Sequence, residues 1–437
     1  MDLEMAVAKQ TKYKLRDFVK LMAGGVTPKL SEYNKYYSDS LSGIPFLRVQ
    51  NLSPEGLEWS DCKYINIETH NGLLKRSQVF GGDLLIKITG VGRMAITSIA
   101  PEGFEGNINQ HMVVIKTKNP ALNEQITAFM NSDIGEMLAT RRSTGGTRPA
   151  LDYTALRSIP IILNDSIPNI MNHAYTEKNE KEQEAQALLD SINNYLLQEL
   201  GIAIPPTEEN TLESRKFYVD SSKVLGNRFD PNYYKGEAEF SDLMLNGFFP
   251  VYDFHRLISK LTNGVEIRNY SESGFRYLRV SDMGKNGIVN DNVRHVDVDS
   301  IPYKIKLSLN DMLISRSGSL GLINVVTEEI VDSILSSHIF RVRLSDSIDK
   351  YYLQEFLRSN LGQHQFFKLN NGGIIPEINQ NALGKIKVCI PPIEKQQEIA
   401  EHIIEIRIKV KQLQQEAQVA VNLAKAEVEK ILLGGSL

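Results

Sequence analysis

Cysteine is almost absent from this chain: Cys62 and Cys389 are the only two among 437 residues, and neither belongs to a CxxC. A disulfide framework is thereby excluded, and a reducing, cytoplasmic setting is expected. A surplus of charge of one sign is also missing, since 49 Lys and Arg against 53 Asp and Glu leave a formal charge of −4 and a pI near 6.1. Nothing global therefore signals nucleic acid, although an acidic helix in one region can mask a basic face in another. No stretch approaches the ~20 apolar residues that a membrane span needs, and the start MDLEMAVAKQTKYKL has no apolar core behind a basic lead. No membrane partner is expected.

Catalytic constellations are lacking as well. Gly90-Val91-Gly92 misses the third glycine of a dinucleotide fingerprint, and there is no GxxxxGK[ST], HExxH, GxSxG or zinc-ligand spacing. Asp230-Pro231-Asn232-Tyr233 lacks the second proline of an adenine-methyltransferase tetrad, and no cofactor loop precedes it. No acidic pair with a lysine follows an apolar strand, as metal-dependent nucleases require. The chain is expected to bind rather than to make bonds, with no metal and no cofactor of its own.

What the chain has is a long internal repeat. Residues 143–161 read STGGTRPALDYTALRSIPI and residues 370–388 read NNGGIIPEINQNALGKIKV, so Gly145, Gly146, Pro149, Leu156 and Ile159 recur 227 positions later. FLRVQNL (46–52) returns as YLRVSDM (277–283), and GGDLLIKITGVG (81–92) returns as LNDMLISRSGSLG (309–321), with Asp83 matching Asp311. The order is the same in both halves, and the period is far beyond the ~20–50 residues of solenoid repeats. It is a duplicated domain, in a length that allows two or three.

Each copy mixes short β-rich runs, such as DLLIKIT and MVVIKT, with one amphipathic helix, predicted over 121–142 and again over 349–369. A Glu- and Gln-rich helix is predicted from about 167 to 200, with Ala185, Leu188, Ile192, Leu196 and Glu199 in a heptad-like stripe ended by Gly201 and Pro205-Pro206. A second follows Pro391-Pro392, where Ile399, Ile403, Ile406, Val410, Leu413, Ala417, Ala420 and Ala424 keep a four-three spacing up to Gly434-Gly435. One such stripe alone is met by any packed helix. Two, each behind a copy of one domain, suggest a pseudo-twofold arrangement with the helices antiparallel.

These features resemble the specificity (S) subunit of type I restriction-modification systems, the HsdS family, and the resemblance covers nearly the whole chain. It is carried by GIPFLRV (43–49), GDLLI (82–86), PPIEKQQEI (391–399), the near-tetrad stretch RFDPNYYKGE (228–237), and the doubled order of these blocks. The first copy ends in IPIILNDSIPN instead of the family's Pro-Pro-x-x-x-Gln, so an irregular entry to the central helix is expected. The fold implied is α+β: two pseudo-twofold-related mixed α/β target-recognition domains, separated by two long antiparallel helices forming a coiled coil. The segments are 1–165 and 204–393 for the recognition domains, with 166–203 and 394–437 as helices. The function implied is non-catalytic recognition of a bipartite, asymmetric sequence in double-stranded DNA, with the helices as a ruler. The partners implied are DNA methyltransferase subunits, two of them, and restriction/translocase subunits in the full complex. S-adenosylmethionine, ATP and Mg are expected only in those partners.

Other readings stay open at this point: the specificity subunit of a type II (IIB/IIG-like) methyltransferase-nuclease, a stand-alone DNA-cleaving enzyme with an unrecognised site, and a coiled-coil adaptor that does not bind DNA.

Affinity for DNA comes mostly from Lys and Arg on phosphates, while sequence is read at base edges. In the first copy, Arg141, Arg142, Thr144 and Arg148 surround Gly145-Gly146, where glycine lets backbone approach phosphate. The counterparts are Lys368, Asn370, Asn371, Gly372 and Gly373. Lys87 and Arg93 flank the Gly90–Gly92 turn, matched by Arg316 and Ser317. His111 and His338 occupy equivalent places and are candidates for base reading. Arg48 and Arg279, inside predicted strands, are read as structural ion pairs with Asp83 or Asp311, with phosphate contact as the alternative.

Overall fold

Leu84, Leu85 and Ile86 in succession are too apolar for a strand with one wet face, so both faces must be covered. The computed structural model describes residues 3–203, 211, 213, 216–224, 234, 243–299, 301, 305–371 and 373–435, and in it Leu84–Lys87 is fully buried. Pro205-Pro206, most of 228–237, and Gly372 lie outside the described residues. The chain divides into two units, Met1–Gln183 with Gln412–Leu437, and Glu184–Lys411.

In the first unit Leu84–Lys87 lies inside a four-stranded antiparallel sheet, in the order Val19–Gly24, Met112–Thr117, Leu84–Lys87, Thr97–Ile99. Side chains alternate between two cores, because a strand turns successive residues to opposite faces. Leu84, Ile86, Val113 and Ile115 pack with the helices, while Leu85, Met112 and Val114 pack with a second layer. That layer is a mixed five-stranded sheet in which Ile44–Leu47 pairs in parallel with Glu105–Ile108. Burying each of these Leu or Ile side chains contributes about 1.5–3 kcal/mol.

The second unit has the same plan. Its four-stranded sheet runs Ile258–Asn263, Ile339–Leu344, Asp311–Ser315, Ile323–Val325. Phe275–Leu278 and Ile334–Leu335 form the matching parallel pair. Even a local irregularity recurs: the first strand of each sheet shifts register at its start, between Val19 and Leu21 and between Ile258 and Lys260.

The helix predicted over 121–142 is two helices, Asn123–Met130 and Asp133–Arg142, and that over 349–369 is Lys350–Arg358 followed by Asn360–Leu369. The side chains of Ser132 and Ser359 cap the second helix of each pair by accepting from the amides of Gly135 and Gly362. Both glycines sit against the preceding helix: a Cβ on Gly135 would meet the Phe129 carbonyl oxygen at 2.2 Å, and one on Gly362 the Leu357 carbonyl oxygen at 2.3 Å. The corner needs a residue without a side chain.

The central helix spans Ser166–Leu200 and the C-terminal helix Ile393–Leu432. At the entry to the first, the Asn164 side chain accepts from the Ser166 amide at 2.9 Å. The stripe residues Ala185, Ile192, Leu196, Ile399, Ile403, Val410, Leu413, Ala417 and Ala424 are buried. Gly201 and Gly434 take positive φ at the two helix ends. Within the first unit, Ile167, Met171 and Ala174 share a core with Ala424, Val428 and Leu432, and Lys181 meets Glu416 at 2.7 Å. Within the second, Glu199 meets Lys395 at 2.6 Å, and the Tyr195 ring lies 4.2 Å from that of His402. In each unit the two helices therefore run antiparallel.

Asp83 and Asp311 do not meet Arg48 or Arg279. Each closes the turn before its own strand, accepting from the Phe80 and Ser308 amides at 2.8 Å, and each binds a cation from the neighbouring strand. Lys116 takes Asp83 at 2.5 Å and Arg343 takes Asp311 at 2.8 Å. Arg48 pairs instead with Asp61 at 2.8 Å, and Arg279 with Asp282 at 2.7 Å. Both arginines are in ion pairs, but with different carboxylates, while Asp83 and Asp311 are taken by Lys116 and Arg343. Both cysteines are free thiols.

Candidate nucleic-acid interface

A strand end exposes backbone groups that no ladder satisfies, and loops that satisfy them become fixed there. In the first copy, Ile88 follows the strand Leu84–Lys87 directly. Its amide donates to the His111 carbonyl at 2.9 Å, and its carbonyl accepts from the Leu151 amide at 2.8 Å. The Gly90 amide donates to the Pro149 carbonyl at 3.1 Å, and Thr144 and Ala150 exchange two bonds of 2.8 Å. The turn of residues 88–96, the His111 turn and the glycine loop are thereby tied together at one end of the sheet. Gly145, at φ +93°, makes the loop's reversal.

The second copy repeats four of these five backbone bonds. The Arg316 amide donates to the His338 carbonyl at 2.9 Å, Ile378 to the Arg316 carbonyl at 2.9 Å, and Gly318 to the Pro376 carbonyl at 3.0 Å. The Asn371 amide donates to the Glu377 carbonyl at 2.8 Å, and the Asn370 side chain accepts from the Glu377 amide at 2.8 Å. Ser317 pairs with Glu377 across the loop. Lys368 stands in the last turn of the helix that leads into it.

The predicted side chains separate into two groups. Four are engaged inside the fold. Lys87 is 4% exposed, donates to the Val91 carbonyl at 2.8 Å, and has its ammonium pKa pushed down by burial. Arg93 reaches Asp133 at 3.1 Å and Glu136 at 3.2 Å, fastening the turn to the start of the helix Asp133–Arg142. Arg142 forms a two-pronged pair with Glu4, at 2.6 and 3.0 Å. Arg316 pairs with Glu377 and lies over the Phe340 ring, 5.5 Å from its centre.

The other group is exposed: Thr144, Gly145, Gly146 and Arg148 in the glycine loop of the first copy, Arg141 in the last turn of the helix before it, and Asn371 and Gly373 in the second copy. Arg148 donates to His111 Nε2 at 3.3 Å. Burial first, and the Arg148 charge second, lower the His111 pKa, which favours the neutral ring that accepts this bond. His338 is more exposed and lies 4.0 Å from Glu266.

A cleft of about 580 Å³ opens beside the second loop, bringing Ser317 and His338 together with Arg268, Tyr270 and Arg279. The Arg268 side chain is 85% exposed, and the Arg294 guanidinium lies 5.7 Å from the centre of the Tyr270 ring. Reading single motifs missed Arg268 and Tyr270. Their signal was the alternation of basic and aromatic residues along RNYSESGFRYLR (268–279), a pattern suited to phosphates and bases together. Among the described residues no cluster of three or more His, Cys, Asp or Glu could hold a metal, and no helix is long and apolar enough to cross a membrane.

Residues 261–419 match the type I restriction modification DNA specificity domain. No curated protein sequence matches the chain. Among solved structures, a chain from a study of complex assembly and conformational transition of the type I R-M system shares the fold. It aligns over 97% of each chain with a TM-score of 0.50 at 13% identity. The type I S subunit of M. genitalium aligns over 97% of this chain and 94% of its own, with a TM-score of 0.43 at 12% identity. The HsdS subunit of Thermoanaerobacter tengcongensis aligns over 97% and 96%, with a TM-score of 0.36 at 13% identity. The resemblance to type I restriction-modification specificity subunits, carried first by the doubled motifs, thus stands on a family match across the second copy and on a fold shared along nearly the whole chain.

Proposed function

We propose that this chain is the DNA-reading subunit of a type I restriction-modification complex, each copy reading one half of a bipartite, asymmetric target. The observation that carries this reading is the recurring three-way convergence of turn, histidine loop and glycine loop at one sheet end of each copy. Two equal platforms with different side chains suit two different half-sites. The solvent-facing groups named above, with Lys368, Asn370 and His338, are the DNA-contacting candidates. Arg93, Arg142 and Arg316 support the loops from behind.

Catalysis belongs, in this reading, to partners. Two methyltransferase subunits dock on the chain and supply S-adenosylmethionine and base flipping, and restriction subunits join with ATP and Mg. The test is co-expression with the cognate methyltransferase followed by genome-wide mapping of methylated bases. A two-part motif methylated only when both proteins are present is the expected result. Methyl transfer by the isolated chain, or methylation with no two-part motif, overturns the proposal.

A further inference from the structure

The apex of the glycine loop carries opposite chemistry in the two copies. Thr147 and Arg148 stand there in the first, and Ile374 and Ile375 occupy the positions 227 residues on. Ile374 is 102% exposed and Ile375 62%. An isoleucine wholly in water at a loop apex contributes nothing to the core, and two in succession form an apolar point. The point is stiffly mounted: the backbone behind it is fixed by the Gly318–Pro376 and Asn371–Glu377 bonds at 3.0 and 2.8 Å. Ile375 also forms one wall of the cleft that contains Ser317, His338, Arg268 and Tyr270.

A small apolar point set among cationic and hydrogen-bonding groups matches a polyanion that is apolar at one place. In the major groove the thymine 5-methyl is the apolar group on a base-pair edge, and aliphatic side chains meet it there. We propose that Ile374 and Ile375 read the 5-methyl group of thymine in the half-site contacted by the second copy, an element of specificity that the Thr147-Arg148 apex of the first copy lacks. The inference rests on the DNA-reading function proposed above.

The experiment uses the full chain assembled with its methyltransferase, and duplexes carrying its methylated motif in which thymines are replaced one at a time by uracil. Uracil keeps the pairing edge and lacks only the methyl. Losing one buried methyl-sized contact corresponds to about a fourfold fall in affinity. That fall is expected at one or two positions of the second half-site. The I374A/I375A variant, altered at exposed positions, should bind the thymine duplex about as weakly as the wild type binds the uracil one, with no further loss on uracil. Equal binding of thymine and uracil throughout the second half-site overturns the proposal, as does a variant that still discriminates or a half-site without thymine. A variant with intact DNA binding but lost methyltransferase assembly also overturns it, marking the apex as a protein contact. Absence of any sequence preference in the wild-type complex is a separate outcome, which sinks the DNA-reading function itself.

Discussion

A part-buried arginine clasped in two bonds by a carboxylate of its own chain is withheld from phosphate, and the first copy contains that case and an exposed one within seven residues. Arg142 is held by Glu4 in two bonds and by Ser158 at 3.1 Å, whereas Arg148 faces solvent with a neutral histidine as its neighbour. Arg148→Ala should weaken DNA binding by the assembled complex and reduce the logarithmic salt slope by about 0.9. Arg142→Ala should leave that slope unchanged and lower the thermal midpoint instead, because the two-pronged Arg142–Glu4 pair is lost. A slope altered by Arg142→Ala and not by Arg148→Ala would reverse the assignment. Glu4 lies 138 residues from Arg142, and no local pattern announces the pair. The sequence therefore exposed the glycine loop but not which of its arginines is free to act. The same residue scale carries a pH dependence. The His111 pKa is lowered in the folded chain, so below the unfolded value of about 6.5 the unfolded state takes up a proton that the folded state resists. Stability from this group is full above pH ~6.5 and is lost as the pH falls through the lowered folded value. His111→Gln should remove part of the drop in thermal midpoint between pH 7 and pH 5. An unchanged drop would show that other groups cause it.

At the scale of elements, the paired helices show where periodicity misleads. The apolar spacing continues from Ile126 and Phe129 across Ser132 to Ile134 and Leu138, all four apolar residues being buried, so a three- and four-residue stripe cannot report the corner. The clue was a Ser-x-x-Gly sequence at equivalent places in both copies, Ser132 to Gly135 and Ser359 to Gly362. Capping explains the serine and close backbone approach explains the glycine. Gly135→Ala or Gly362→Ala forces a methyl against a carbonyl and should cost about 1–3 kcal/mol by the usual scale of overpacking. Denaturant unfolding measures it. A shift under about 0.5 kcal/mol would mean that the corner opens easily, against the contact distances. The long helices were legible for the opposite reason: an unbroken stripe of Ile, Leu, Val and Ala with glycine at the end leaves few alternatives.

For the whole molecule, duplication was the most legible property, since matched blocks in matched order can arise only from matched folds. What the sequence could not convey was how differently the matched histidines are engaged at these ends. Four backbone bonds at the sheet end recur, yet His111 meets Arg148 where His338 faces Glu266. A common scaffold with unlike tips predicts modular reading. Exchanging residues 13–164 for the corresponding domain of a related subunit should replace one half of the methylated motif and leave the other half intact. Each copy has its own sheet, helix pair and loop, so the exposed loop side chains of the second copy keep their mounting when the first is exchanged. Methylation mapping of the hybrid in complex with methyltransferase gives the answer. If both halves of the motif change together, base reading is a joint property of the copies, and the independence implied by two complete platforms is wrong.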